Sequence, residues 1–179
     1  MRKLRVNLFF TIIIFVLNLY SNSIANISSN FINDITDRAS NILSSEDTRE
    51  VKIKELIKIG ESSVDIDGIG FYTLGKHRKS LNDDQKNEFK EIFREYFLKS
   101  FSTRLVEYKE AKIVVISEDV KNEKYTIVKS KLLATSNRPE VAIDWRVYTK
   151  DPLKPLIRDL VIEGLSLART QREEFNSII

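Results

Sequence analysis

The strongest pattern in the chain lies between Asn82 and Tyr108, NDDQKNEFKEIFREYFLKSFSTRLVEY. Phe89, Ile92, Phe93, Tyr96, Phe97, Phe101, Leu105 and Tyr108 recur at helical spacing, with Lys90, Glu91, Glu95, Lys99 and Thr103 opposite. That spacing predicts a long amphipathic α-helix. Asn82 is placed to cap it, and Gln85 fits a capping box. The stripe is rich in rings, and periodicity leaves two readings open: a helix on an ordinary core, or one wall of an apolar cavity.

Upstream, Phe31, Ile35, Ala39, Ile42 and Leu43 share one face of a predicted helix over 28–45. A second helix over 47–61 turns Val51, Leu56, Ile57 and Ile59 inward. A short third helix follows Asp65, with Ile66, Ile69 and Tyr72 or Thr73 inward; Gly75 ends it, because glycine takes the left-handed conformation freely. The polar run 76–80 is then a loop.

After Tyr108 the period changes from helix to strand. Residues 112–118 form a short β-branched run, and 124–135 a longer one whose alternation shifts phase near Val128, predicting a bulge or strong bend. Asn122 sits in the tight connection between them. In 140–149, Val141, Ile143, Trp145 and Val147 alternate with Glu140, Asp144 and Arg146, marking a sheet with one buried face. Pro152 and Pro155 bracket a loop before a strand over 156–163. Gly164 breaks it, and 167–179 returns to helix with Leu167, Phe175 and Ile178 inward. Helices followed by consecutive hairpin strands predict an α+β fold: a curved antiparallel sheet of about four strands, with N-terminal helices and the long helix packed on one face. Residues 26–179 read as one domain.

The first residues differ from the rest. Arg2, Lys3 and Arg5 precede an apolar run from Leu8 to Leu17, and Ser23-Ile24-Ala25 supplies small residues for cleavage. Residues 1–25 are therefore expected to be a secretory signal peptide, with an apolar part short of the ~20 residues of a membrane span; an uncleaved N-terminal anchor is the alternative. This changes the charge argument. Three of the 29 basic residues lie in that segment, leaving 26 basic against 26 acidic residues in 26–179. A nucleic-acid binder keeps a basic excess on its folded domain, so no nucleic-acid partner is expected. The absence of cysteine removes disulfides, thiol catalysis and thiolate metal sites together.

Several motifs approach known chemistry and miss it. The run from Gly70 to His77 nearly spells a phosphate-binding loop, but His77 stands where the Mg²⁺-binding hydroxyl belongs. Asp65-Ile66-Asp67-Gly68 begins like a calcium loop and lacks its later acidic ligands; a helix cap at Asp65 explains it better. His77 is the only histidine and sits among Lys76, Arg78 and Lys79, with no carboxylate to orient it. Asp144 and Glu163 are the one candidate acid pair, for a secreted isomerase or hydratase. Such chemistry requires an acid deep in a pocket. No catalytic residue, metal site or cofactor is expected.

Two stretches resemble a known family. Leu74-Gly75, Gln85, Phe89 and Phe93-Arg94-Glu95-Tyr96 resemble a signature region of the MlaC, or toluene-tolerance auxiliary, family of periplasmic phospholipid-binding proteins. The segment from Asp159 to Ser166, DLVIEGLS, is similar to the family's Asp-x-x-x-Glu-Gly-x-Ser, and Asp144-Trp145-Arg146 falls on a matching strand. Two features depart from the pattern: Pro155-Leu156-Ile157 replaces an aromatic entry to the fourth strand, and the chain stops at Ile179, short of a further helix common in the family.

The resemblance implies a periplasmic carrier, not an enzyme, that shuttles phospholipid between outer- and inner-membrane complexes and maintains outer-membrane asymmetry. Its implied partners are phospholipid cargo, an inner-membrane ABC transporter complex and an outer-membrane lipoprotein complex. It also tips the aromatic stripe toward a cavity wall. The expected tail contacts are Phe71, Leu74, Phe89, Phe93, Tyr96, Phe97, Phe101, Trp145, Val147, Leu160 and Ile162, with Arg94, Lys76 and Arg78 near the head group. A non-lipid periplasmic adaptor with a fully packed interior is the bland alternative.

Overall fold

A computed structural model of the chain describes residues 27–108 and 111–178; the expected signal peptide lies outside them. The described chain begins with helices α1 (Ile27–Ser44), α2 (Arg49–Ser63) and α3 (Ile66–Thr73). A single 3₁₀ turn, His77–Lys79, leads into the long helix α4 (Asp83–Leu105). Strands β1 (Ile113–Asn122), β2 (Tyr125–Leu132), β3 (Val141–Tyr148), β4 (Leu156–Ile162) and β5 (Leu165–Ser166) follow, and α5 (Leu167–Ile178) closes the described chain.

Local chemistry fixes the helix ends where the sequence placed them. Asn82 and Gln85 form a reciprocal capping box, with N···O distances of 2.9 and 3.0 Å. Asp65 caps α3 by accepting from the Gly68 N–H at 3.0 Å. Gly75 adopts φ +55° just beyond α3, and its N–H donates to the Tyr72 carbonyl. A side chain there would carry the left-handed strain that glycine avoids.

The sheet is antiparallel throughout, in the order β1-β2-β3-β4-β5. The α+β architecture is thus as expected, with the two-residue β5 as an additional strand. The bulge expected in β2 is absent from that strand, whose Thr126, Val128, Ser130 and Leu132 alternate inward without a break. Register shifts occur instead in its partner β1, at Val115/Ser117 and Val120/Asn122. The misleading signal was polarity: Thr126 and Ser130 are polar yet buried. Ser130 Oγ donates to the Ile143 carbonyl at 3.1 Å and accepts from the Trp145 indole N–H at 2.8 Å, so its burial leaves neither group unpaired.

The interior divides into two main layers. On the sheet side, Ile32 and Ile35 of α1 and Ile59 of α2 meet Val128, Leu132, Ile143, Trp145, Val147 and Ile157. On the helix side, Ile66 and Ile69 of α3 meet Phe93 and Leu98 of α4, flanked by Phe89, Phe97 and Phe175. Val64, in the connection between α2 and α3, touches both. The helices cover one face of the sheet, with α4 set mainly on α2 and α3. Two glycines permit that approach. A Cβ at Gly60 would lie 2.8 Å from Leu98 Cδ2, and one at Gly70 would lie 2.7 Å from Phe93 Cδ1.

Some faces differ from the periodic reading. Val51, Ile92, Tyr96 and Tyr108 are exposed, as is Ile178 at 84%. Leu98 and Ser102 of α4 are buried instead. The helix turns this way because it serves two neighbours, presenting Phe93 to α3 and Leu98 to α2.

Candidate functional site

The aromatic residues of α4 form a ladder. Phe89–Phe93, Phe93–Phe97 and Phe97–Phe101 have ring centroids 5.5, 6.0 and 5.7 Å apart, each pair stacked. Steps of four residues on a helix produce this contact directly. Phe71 of α3 extends the ladder at one end, 6.2 Å from Phe89. Phe175 of α5 meets Phe93 edge-on at 6.1 Å and Tyr96 at 6.5 Å.

The residues expected at the tails therefore fall into two groups facing different layers. Phe71, Phe89, Phe93, Phe97, Phe101 and the exposed Tyr96 belong to the ladder, while Leu74 is buried just after α3. Trp145 and Val147 lie in the sheet-side core, with Leu160 against it and Ile162 half-buried at the end of β4. Within these groups burial is uneven: Phe71, Phe89, Phe97 and Phe101 are half-buried, whereas Phe93 and Val147 are closed off from solvent. Phe93 is 2% exposed and Val147 0%.

Two open grooves lie elsewhere on the described surface. One, of about 430 Å³, runs between α2 and α4 beside Ile57, Ile92 and Leu98, with Arg94 on its wall. Another, of about 370 Å³, lies among Lys76, His77, Arg172 and Asn176. None of the eleven expected tail contacts lines either groove. Of the expected head-group residues, Arg94 is paired with Asp67 at 2.8 Å, which Lys90 shares at 3.0 Å; Lys76 and Arg78 are exposed.

The candidate acids do not converge in a pocket. Asp144 alternates with the inward Ile143 and Trp145, placing it on the outer face of β3 opposite Lys129. Glu163 is exposed at the β4–β5 turn and accepts from the Ala142 N–H.

The segment from Asp159 to Ser166 has a clear structural task. The buried Asp159 carboxylate accepts from Ser166 Oγ at 2.6 Å and from the Ala168 N–H at 3.0 Å, with Arg146 at 3.4 Å. It ties β4, β5 and the first turn of α5 together. Glu163 and Gly164, at φ +49° and +82°, make the tight reversal between those anchors.

One polar cluster escaped the sequence reading. Arg158 of β4 pairs with Asp65 and donates to the Tyr125 hydroxyl. Its guanidinium carbon lies 3.6 Å from the Tyr148 ring centroid and 5.7 Å from that of Tyr125. Burial pulls the Arg158 pKa down, but the bonds to Tyr125 and Asp65 outweigh it and hold the pKa above the ordinary arginine value. The four residues are far apart in sequence. The Tyr125–Tyr148 pairing across β2 and β3, the pairing of β3 with β4, and the bridge between Val64 and Ile157 bring them together.

Among solved structures, the phospholipid-binding protein from Ralstonia solanacearum, in complex with a phospholipid, has the same fold. It superposes with a TM-score of 0.68 at 17% identity, covering 84% of this chain and 86% of that chain. No curated protein matches the chain. The family model of the MlaC protein matches residues 26–179, which include both the aromatic ladder and the Asp159 clamp. The chain belongs to the MlaC family.

Proposed function

We propose that this protein is a periplasmic phospholipid carrier, in which residues 1–25 direct export and residues 26–179 form one lipid-binding domain. Membership of the MlaC family across 26–179 carries this reading. The fold shared with a phospholipid-bound protein supports it. The carrier exchanges cargo with an inner-membrane ABC transporter complex and an outer-membrane lipoprotein complex, maintaining outer-membrane asymmetry.

The physical requirement is severe. Each CH₂ moved from water to apolar surroundings is worth ~0.8 kcal/mol, so two acyl chains demand cover worth ~20 kcal/mol or more. A carrier that supplies such cover makes transfer from a bilayer nearly balanced in free energy, and the exchange needs no catalytic group. The tails enter between the two apolar layers, touching Trp145, Val147, Leu160 and Ile162 on one side and the ring ladder on the other. Rings already stacked on one another can re-stack against acyl chains without exposing a hydrogen-bonding group.

The test is lipid transfer from phosphatidylethanolamine/phosphatidylglycerol vesicles carrying a self-quenched fluorescent phospholipid. The expected result is dequenching on addition of residues 26–179, with phospholipid in the re-isolated protein. A folded protein that neither dequenches the vesicles nor retains lipid overturns the carrier reading.

A further inference from the structure

We propose that Arg158 binds the phosphate of the phospholipid cargo, and that Asp65 occupies its guanidinium until the cargo arrives. The inference rests on the carrier reading and adds a latch and a head-group site to it. The ion pair joins the two apolar layers: Arg158 follows Ile157 of the sheet-side core, and Asp65 precedes Ile66 of the helix-side core. The same joint carries the Asp65 N–H bond to the Ile157 carbonyl at 2.9 Å and the contact of Val64 with both layers. Parting the layers to admit tails strains this joint.

The chemistry of the site suits a phosphodiester. A guanidinium presents a planar fork that matches either a carboxylate or a phosphate. Tyr148 beneath the fork and the Tyr125 hydroxyl beside it hold it in place, so little freedom is lost on binding. The Arg158 and Asp65 side chains are 32% and 16% exposed, shielded enough for their attraction to matter and open enough for exchange. Arg94 is the weaker candidate, because its pair with Asp67 joins α4 to α3 within the helical layer and does not link that layer to the sheet. A cargo phosphate taking the place of the Asp65 carboxylate releases the latch, so cargo binding and opening are one event.

The experiment compares retention of phosphatidylglycerol with that of diacylglycerol bearing the same chains, using residues 26–179 and native mass spectrometry. Wild type is expected to prefer the phospholipid, and Arg158→Gln to reduce that preference about tenfold. Arg158→Lys keeps the charge but not the fork; an intermediate preference is expected, and this variant guards against a fold lost with Arg158→Gln. Asp65→Asn preserves the helix cap, since asparagine caps as well as aspartate. It is expected to strengthen phosphatidylglycerol retention several-fold, and diacylglycerol retention by less, because the loosened joint helps both lipids but the freed guanidinium only the phosphate. Lipid-loaded variants with the wild-type preference would overturn this inference alone; wild type retaining neither lipid would overturn the carrier reading with it. Stabilisation by inorganic phosphate, with no preference between the two lipids, would reassign Arg158 to free phosphate and overturn the lipid assignment.

Discussion

Gly70 of α3 lies so close beneath the ring of Phe93 on α4 that a methyl group there would stand 2.7 Å from Cδ1. The ring cannot retreat easily, because Phe89, Phe97 and Phe175 surround it. Gly70→Ala is expected to destabilise the protein by about 1–2 kcal/mol in urea titrations: against a ring so surrounded, overpacking costs about 2–3 kcal/mol, the upper part of its usual range, and the gain in helix propensity returns roughly 1. Gly60→Ala should cost less, since its methyl meets only the terminal Cδ2 of Leu98. Gly70→Ala matching or exceeding wild-type stability would show that α4 is not held through this contact.

Ser130→Ala leaves the Trp145 indole N–H without its partner inside the sheet-side core. A loss of about 1–3 kcal/mol is expected, the cost of a buried unpaired donor. Urea titration measures it, and a loss below about 0.5 kcal/mol would mean that the donor finds another partner.

Asp159→Ala removes the group that ties α5 to β4. No residue of α5 is fully buried, so this helix depends on its few anchors. Hydrogen exchange in α5 is expected to speed up about tenfold or more, equivalent to roughly 1.4 kcal/mol of local stability, while β2 and β3 keep their protection. Unchanged exchange in α5 would assign its anchoring to Phe175 instead.

The Arg49–Glu107 pair, at 2.8 Å, gives a useful contrast because its side chains remain 49% and 67% exposed. Glu107→Gln should change stability by less than about 0.5 kcal/mol, since solvent and salt screen such pairs. A larger loss in thermal or urea unfolding would show that the end of α4 is pinned electrostatically.

Much of this fold is local chemistry, and local chemistry is legible. The Asn82–Gln85 box, the Asp65 cap, the Gly75 reversal and the alternation of β3 each depend on residues within a few positions of one another. Orientation was harder to read. Ile92 joins the stripe by spacing yet is 62% exposed, whereas Leu98 and Ser102 turn inward because α4 contacts two helices across Gly60 and Gly70. In β2, hydrophobicity alone hid the inward Thr126 and Ser130. The candidate site was legible as one set of apolar residues, but not as two sets packed in different layers. Asp65 was recognised as a cap, while its bond to Arg158 depends on the pairing of strands distant in sequence.

Trp145 is the only tryptophan and lies 7% exposed on the inner face of the sheet, among the residues proposed to meet the tails. It is a built-in reporter for acyl chains entering between the layers. The direct measurement is Trp145 fluorescence in protein loaded with phosphatidylglycerol brominated along its acyl chains, with loading verified by native mass spectrometry. Strong quenching relative to the unbrominated lipid is the predicted result. Bound brominated lipid that leaves the emission unchanged would contradict cargo binding between the sheet and the aromatic ladder.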